Sequence, residues 1–241
     1  YQIGAHYELA ASTGAFFRLA SAYRAPQINE LYRLQKEQEI AEVKPEQVDS
    51  IEAGLRYQTA KWFAELSLYR MDKDQVIVKD SDSFIVNDGE TQHHGIEWQL
   101  RHELSDHWQL TAAGSWAVHQ YSYARLFGNI NIDGNDIDTA PRWHGSAHAL
   151  YQPSDSTTIE VEWVYLGKYF LDPQNAHQYA GHNVFNVRAQ QRYGNWQVAA
   201  QLTNLTDRRI ADRADYGFGS YRYFVGEGRG VSLELKRFFV K

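Results

Sequence analysis

The chain has no cysteine among its 241 residues, which excludes a disulfide framework and any thiolate metal or redox site. It also lacks a run of about 18 apolar residues, so no segment reads as a membrane-crossing helix. Basic blocks are missing too. With 24 basic against 30 acidic side chains the formal charge is -6, and a nucleic-acid partner is not expected. No Gly-x-Ser-x-Gly, His-Glu-x-x-His or phosphate-loop pattern occurs, so the chain does not read as an enzyme and calls for no cofactor. Gly226-x-Gly228-x-Gly230 is too short for a phosphate cradle and precedes a strand. No secretory leader is visible, and the chain opens in strand-like sequence (Ile3, Ala5, Tyr7, Leu9). The expectation is therefore a C-terminal portion whose N-terminal part is absent.

Aromatics, by contrast, are plentiful: 7 Trp, 16 Tyr and 11 Phe, in a chain whose mean hydropathy is only -0.58. An outer-membrane barrel reconciles the two, because every second strand residue meets lipid and aromatics collect at the interfaces. The sequence carries that alternation in segments of about ten residues. Ile51, Ala53, Leu55 and Tyr57 alternate with Glu52, Gly54 and Arg56, and Leu66 and Leu68 with Glu65 and Ser67. Alternation predicts eleven strands, near 1–10, 14–23, 47–58, 61–72, 91–104, 107–120, 142–152, 157–169, 182–193, 195–205 and 229–239. Tight connections (11–13, 58–61, 105–106, 153–156, 193–195) alternate with long ones (24–46, 73–90, 121–141, 170–181, 206–228). Val76–Val86 reads as a hairpin rising above the membrane. Short turns at one end and long loops at the other are the signature of an antiparallel up-and-down transmembrane β-barrel.

Aromatic phase supports this fold class. Trp62, Trp108 and Trp196 follow short turns, Tyr57, Tyr151 and Tyr193 precede them, and all six share the apolar phase. They predict one interfacial ring; Trp116, Trp143, Tyr165 and Tyr169 are expected in the opposite one. In a soluble β-sandwich such tryptophans would be scattered along the strands. The other phase is polar (Glu97, Gln99, Arg101, Glu103; Glu160, Glu162, Lys168; Asn186, Arg188, Gln190). So many charges cannot fill a dry core; they predict a wide lumen. Eleven strands are half of 22, the size of plugged outer-membrane transporters.

Several motifs then resemble one family. Tyr23-Arg24-Ala25-Pro26 followed by Asn29-Glu30-Leu31-Tyr32 is similar to the Phe-Arg-Ala-Pro box of TonB-dependent outer-membrane receptors. Val43-Lys44-Pro45-Glu46 leading into Ile51-Glu52-Ala53-Gly54 resembles the strand that follows in that family. Gly95-Ile96-Glu97, Ala140-Pro141-Arg142-Trp143 and Asn204-Leu205-Thr206-Asp207 recur in the family's order, and the strand ending at Phe239 resembles its closing strand. Arg237 and the trailing Val240-Lys241 depart from that closing pattern. Read for themselves, Pro26, Pro45 and Pro141 mark strand borders, and Asn204 and Asp207 are turn-formers.

The resemblance implies that residues 1–241 are the C-terminal portion of one receptor barrel in a bacterial outer membrane, surrounded by outer-membrane lipid. It further implies active import of a ferric siderophore or similar iron complex, energised by the TonB complex acting on an N-terminal plug. Haem receptors of the family carry a histidine between the Arg-Ala-Pro box and the next strand; residues 27–46 have none, so haem ranks second. A passive porin or adhesin barrel is the remaining alternative. Candidate ligand contacts are Tyr32 and Arg33 in the first loop, Tyr121, Tyr123 and Arg125 in the third, and Arg208, Arg209 and Arg213 in the last. Tyrosine and arginine stack on and pair with anionic, catecholate-like ligands; the last three arginines could instead pair with Asp207, Asp212 and Asp215. Among ten histidines, adjacent His93 and His94 face opposite sides, His144 and His148 read as lumen-lining, and His177 and His182 as loop residues. No metal site is assigned.

Overall fold

The computed structural model describes residues 1–32, 43–79 and 85–239. Eleven antiparallel strands form one sheet in sequence order. They are β1 (Gln2–Ala10), β2 (Thr13–Arg24), β3 (Glu46–Gln58), β4 (Trp62–Lys79), β5 (Ile85–Ser105) and β6 (Trp108–Tyr121), then β7 (Trp143–Ser154), β8 (Thr157–Leu166), β9 (His182–Tyr193), β10 (Trp196–Thr203) and β11 (Gly230–Arg237). Each pairs with its neighbours, and among the described residues β1 and β11 remain the two open edges. The predicted meander is what the chain forms. β4 and β5 run to 18 and 21 residues, against roughly 9–11 needed to cross a bilayer. Their outer halves make the hairpin expected around Val76–Val86, bent by register shifts near Val76.

One face of the wall is apolar and uncovered. Leu55 pairs with Leu66, Leu66 with Trp98, and Val161 with Val187. Leu55, Leu66, Leu68 and Leu233 are 51, 46, 54 and 77% exposed. A contiguous apolar surface of this kind has no place in water and fits acyl chains. The opposite face is a ladder of ion pairs and amides. Arg18 bonds Glu52; Arg56 Nε donates to Glu65 at 2.5 Å; Arg188 bridges Glu160 and Glu162 at 2.5 and 2.8 Å, and Asn186 adds a bond to Glu162. Such pairs are satisfied across strands and keep a wet lumen polar.

Aromatics mark the two edges of the apolar band. At the short-turn edge Trp62 stacks on His102 at 3.6 Å and Trp108 on Tyr151 at 4.5 Å. The guanidinium of Arg237 lies over Trp196 at 5.2 Å and over Phe239 at 4.8 Å. The departure of Arg237 from the family's closing pattern is thus accommodated by cation–π contact at the interface. At the other edge Trp116 and Trp143 approach to 6.3 Å, and Tyr165 stacks with Trp163. Trp98 lies across Gly114 so closely that a Cβ there would collide with the indole; this keeps a large ring flat against the band.

Two expectations need correction. The strand expected over 157–169 ends at Leu166, because Gly181, with φ of 77°, crosses the backbone at Leu166–Gly167 at a distance only glycine tolerates. Lys168 therefore leaves the lumen ladder. Tyr169 is also lost from the outer ring: it is 5% exposed, packed with Leu171, Ala211 and Ala214 in the long loops. That loop cluster is the main buried apolar core among the described residues, since a single-layer wall has no interior of its own.

Candidate functional site

All long connections emerge at one edge of the wall, and several are structured. A short helix, α1 (Ile28–Tyr32), follows the Arg-Ala-Pro segment. Its Glu30 and the strand-opening Glu46 both grip Arg24: Nε and Nη2 reach Glu46 at 2.7 and 2.6 Å, while Nη1 and Nη2 reach Glu30 at 3.0 and 3.1 Å. Glu46 also accepts the Ile77 amide at 2.9 Å and lies 3.7 Å from Lys73. Arg24 holds its carboxyl down at about 2, and lowers that of Glu30. The Arg-Ala-Pro box is thus a clasp binding the first loop to the β4–β5 hairpin.

Three further loops interlock. Short two-stranded ladders occupy them: Leu126–Phe127 with Ile130–Asn131, Tyr169–Phe170 with Gln178–Tyr179, and Ala211–Gly217 with Ser220–Val225. Between the first two loops, Asn175 Nδ2 donates to Asp136 O and its Oδ1 accepts Asp136 N, both at 2.8 Å; Thr139 N donates to Phe170 O at 2.8 Å. Between the second and third, Tyr216 N donates to Leu171 O at 2.9 Å, Ala214 N to the Tyr169 hydroxyl at 3.0 Å and Ala211 N to the Tyr179 hydroxyl at 3.1 Å. Burial raises the Tyr169 phenol, which therefore stays neutral. Tyr169→Phe leaves the buried Ala214 amide without an acceptor, a local cost of about 1–3 kcal/mol. Amide exchange at Ala214 should accelerate about 5- to 150-fold while wall amides stay unchanged.

The last of these ladders has an aromatic face and a cationic one. Tyr221 and Tyr223 are half exposed and parallel, 6.2 Å apart. His177 stacks on Tyr216 at 3.5 Å and its Nδ1 bonds Asp172. Arg222, paired with Asp215, lies over Phe218, and Arg213 over Phe224.

The candidate residues fall into groups. Tyr32 ends α1 and is 75% exposed; Arg33 lies outside the described residues. Tyr121, Tyr123 and Arg125 are brought together, with rings 6.2 Å apart and the guanidinium 5.7 Å from Tyr123. Yet Tyr121 donates its hydroxyl to Asp138 at 2.7 Å and Arg125 pairs with Asp88, so both groups already have partners. Burial, aided by Asp138, pushes the Tyr121 phenol up. Arg213 lies 3.6 Å from Asp215, the pairing foreseen as its structural alternative. Arg208 and Arg209 are exposed and make no ion pair among the described residues; Arg208 instead serves through its backbone, bonded to the buried Asn204 side chain at 3.0 and 2.8 Å. Asn204 and Asp207 take φ of 47° and 51°, the turn geometry their residue types favour.

Sequence reasoning missed the Tyr169–Tyr179–Tyr216–Tyr221–Tyr223 group, whose spacing carries no period. It also missed a histidine pair across β5 and β6: His93 Nδ1 and His119 Nδ1 are 2.8 Å apart. Both lie beyond the Trp116 edge of the apolar band. His93 is pushed down to about 4 by burial and by His119 and Lys73, and burial lowers His119.

An uncovered apolar band edged by aromatics, a charged inner face and interlocked outer loops define a wall segment of a large outer-membrane β-barrel receptor. The chain belongs to the TonB-dependent receptor family: its residues 1–205 match the family model "TonB dependent receptor-like, beta-barrel". A probable TonB-dependent siderophore receptor, PiuA of Acinetobacter baumannii, is 20% identical over 203 residues, covering 80% of this chain and 27% of that protein. A TonB-dependent receptor of Haemophilus influenzae is 29% identical over 155 residues, 63% of this chain and 42% of that one. In fold the chain is similar to the ferric yersiniabactin uptake receptor FyuA of Yersinia pestis (TM-score 0.84, 16% identity, covering 99% of this chain and 37% of that one). The chain thus spans well under half the length of each of these relatives.

Proposed function

We propose that the protein acts as an outer-membrane active transporter importing a ferric siderophore or similar iron complex. In this reading residues 1–241 are the C-terminal half of a 22-stranded barrel, and the TonB complex works through an N-terminal plug. The observation that supports it is the outer body of three interlocked loops, whose last ladder turns Tyr221 and Tyr223 to one face and Arg213 and Arg222 to the other. Membership of the family, with siderophore receptors among its relatives, adds to this. Aromatic faces and guanidinium groups suit a flat, anionic, catecholate-like ligand; Tyr32, Tyr121, Tyr123, Arg125, Arg208 and Arg209 would frame the approach. One geometry favours haem as a second reading: Asp172 holds His177 Nδ1, leaving Nε2 as a potential axial donor.

Tryptophan quenching of the purified full-length protein by a ferric catecholate and by haemin discriminates the two. Quenching by the ferric complex, weakened at least tenfold in a Tyr221→Ala/Tyr223→Ala double variant, is the expected result. Quenching by haemin alone, abolished by His177→Ala, overturns the siderophore assignment.

A further inference from the structure

The apolar face of the wall carries a recess of about 550 Å³ at its outer aromatic edge, beneath the loops over 122–142 and 167–181. Three strands make its floor. Trp116 of β6 lies directly opposite Trp143 of β7, and the amide of Gly167, just past β8, donates to the Trp143 carbonyl at 2.7 Å. Tyr165 precedes Gly167 by two residues and shares its face. A Cβ on Gly167 would stand only 3.1 Å from that of Trp143, so the missing side chain is what opens the floor. The recess faces lipid. Trp116, Trp143, Tyr165 and Gly167 line it, all of the outward phase, whereas their lumen-phase neighbours Ser115, His144 and Leu166 do not.

Beyond the strand ends the recess is polar. Arg142 Nε and Nη2 donate to the two carboxylate oxygens of Asp136 at 2.8 and 2.7 Å. Asp136 is itself fixed through its backbone, whose amide and carbonyl both bond the Asn175 side chain of the next loop at 2.8 Å. This pairing occupies one edge of the guanidinium and leaves Nη1 for another acceptor. Lys168, exposed and without an ion pair among the described residues, adds a second cation from the loop after β8. With two cations against one carboxylate, the lining carries net positive charge.

We propose that this recess binds one outer-leaflet glycolipid, an acylated sugar phosphate. The phosphate lies between Lys168 and the free edge of Arg142, the sugar ring covers the half-exposed Trp143, and the acyl chains run down the apolar band past Trp163. Charge selects the headgroup, because charge-assisted bonds favour a phosphate over a neutral head. Depth selects a lipid over a soluble anion. The cations stand directly above the band, at the level where aromatic rings mark the membrane interface. A bound lipid also joins two outer loops, since Arg142 ends one and Lys168 begins the next.

The test uses the full-length protein in detergent, stripped of lipid and titrated with lipid A, a doubly phosphorylated and acylated glucosamine disaccharide, with bound lipid counted by native mass spectrometry. One lipid A should be retained. Dephosphorylated lipid A should bind about tenfold or more weakly. Lys168→Glu and Trp143→Ala should each weaken lipid A binding to a similar extent, while both variants keep the heat-dependent gel shift of a folded barrel. Lys168→Arg should bind as the wild type does. Equal binding of the dephosphorylated lipid, retention indifferent to both substitutions, or phosphatidylglycerol bound as tightly as lipid A would each overturn the assignment. Full displacement of lipid A by millimolar inorganic phosphate would overturn it too, by showing a site for a free anion.

Discussion

Leu66→Arg and Val161→Arg should each abolish or sharply reduce assembled receptor in the outer membrane, whereas Glu97→Arg should assemble at close to the normal level. Leu66 lies between Leu55 and Trp98 in the middle of the apolar band, and Val161 between Ala149 and Val187. A cation facing lipid at mid-depth costs about 2–4 kcal/mol, and no acidic residue shares that face nearby to offset it. Glu97 points the other way, between Ser67 and Ser115 on the lumen face, where a guanidinium stays in water. Heat-modifiable mobility of full-length protein in isolated outer membranes reads assembly directly. Equal amounts of folded barrel for all three variants would show that the two faces had been assigned the wrong way round.

That the faces can be named at all reflects how much of this fold is local. Strand period is two, so Ile51, Ala53 and Leu55 declare one side without knowledge of any partner. Short turns then fix which strands are neighbours, and the tryptophans beside them mark an interface. Register is less legible. A two-residue turn between Ser105 and Trp108, followed by regular pairing, would place His94 opposite His119. The irregularity between Glu103 and Ser105 shifts the ladder by one residue and brings His93 there instead. A one-residue slip exchanges the faces presented, so the histidine pair could not be found by counting. The outer loops were illegible for a different reason. Tyr169 and Ala214 are far apart in sequence, and their contact depends on two separate loops closing together. Only the residue types that shape backbone, such as Asn204 and Pro45, could be read there in advance.

The clasp at Arg24 provides the second large effect. Glu46 has a side chain only 6% exposed, and it holds the Ile77 amide as well as Arg24. Arg24→Ala leaves that carboxylate buried beside Lys73 alone, 3.7 Å away. Breaking such a pair from one side costs up to about 3–5 kcal/mol when both partners are buried. Arg24 is itself partly exposed, so about 2–3 kcal/mol is expected. The loss should be local, because the wall below is held by its own ladders. Exchange of the Ile77 and Glu30 amides should therefore accelerate about 30- to 150-fold, with wall amides unchanged, and Arg24→Lys should recover only part of the protection. The pH dependence has a definite sign. The folded carboxyl titrates at about 2, below its ordinary 4.5, so its stabilisation is complete above about pH 4.5 and is lost as pH falls towards 2. Wild-type protein should keep these amides protected at pH 4; the Arg24→Ala variant should show little further change over that window, because the partner that lowers the carboxyl is gone. Unaltered Ile77 exchange in Arg24→Ala would mean that backbone geometry at Pro26 and Pro45, not this ion pair, fastens the first loop to the hairpin.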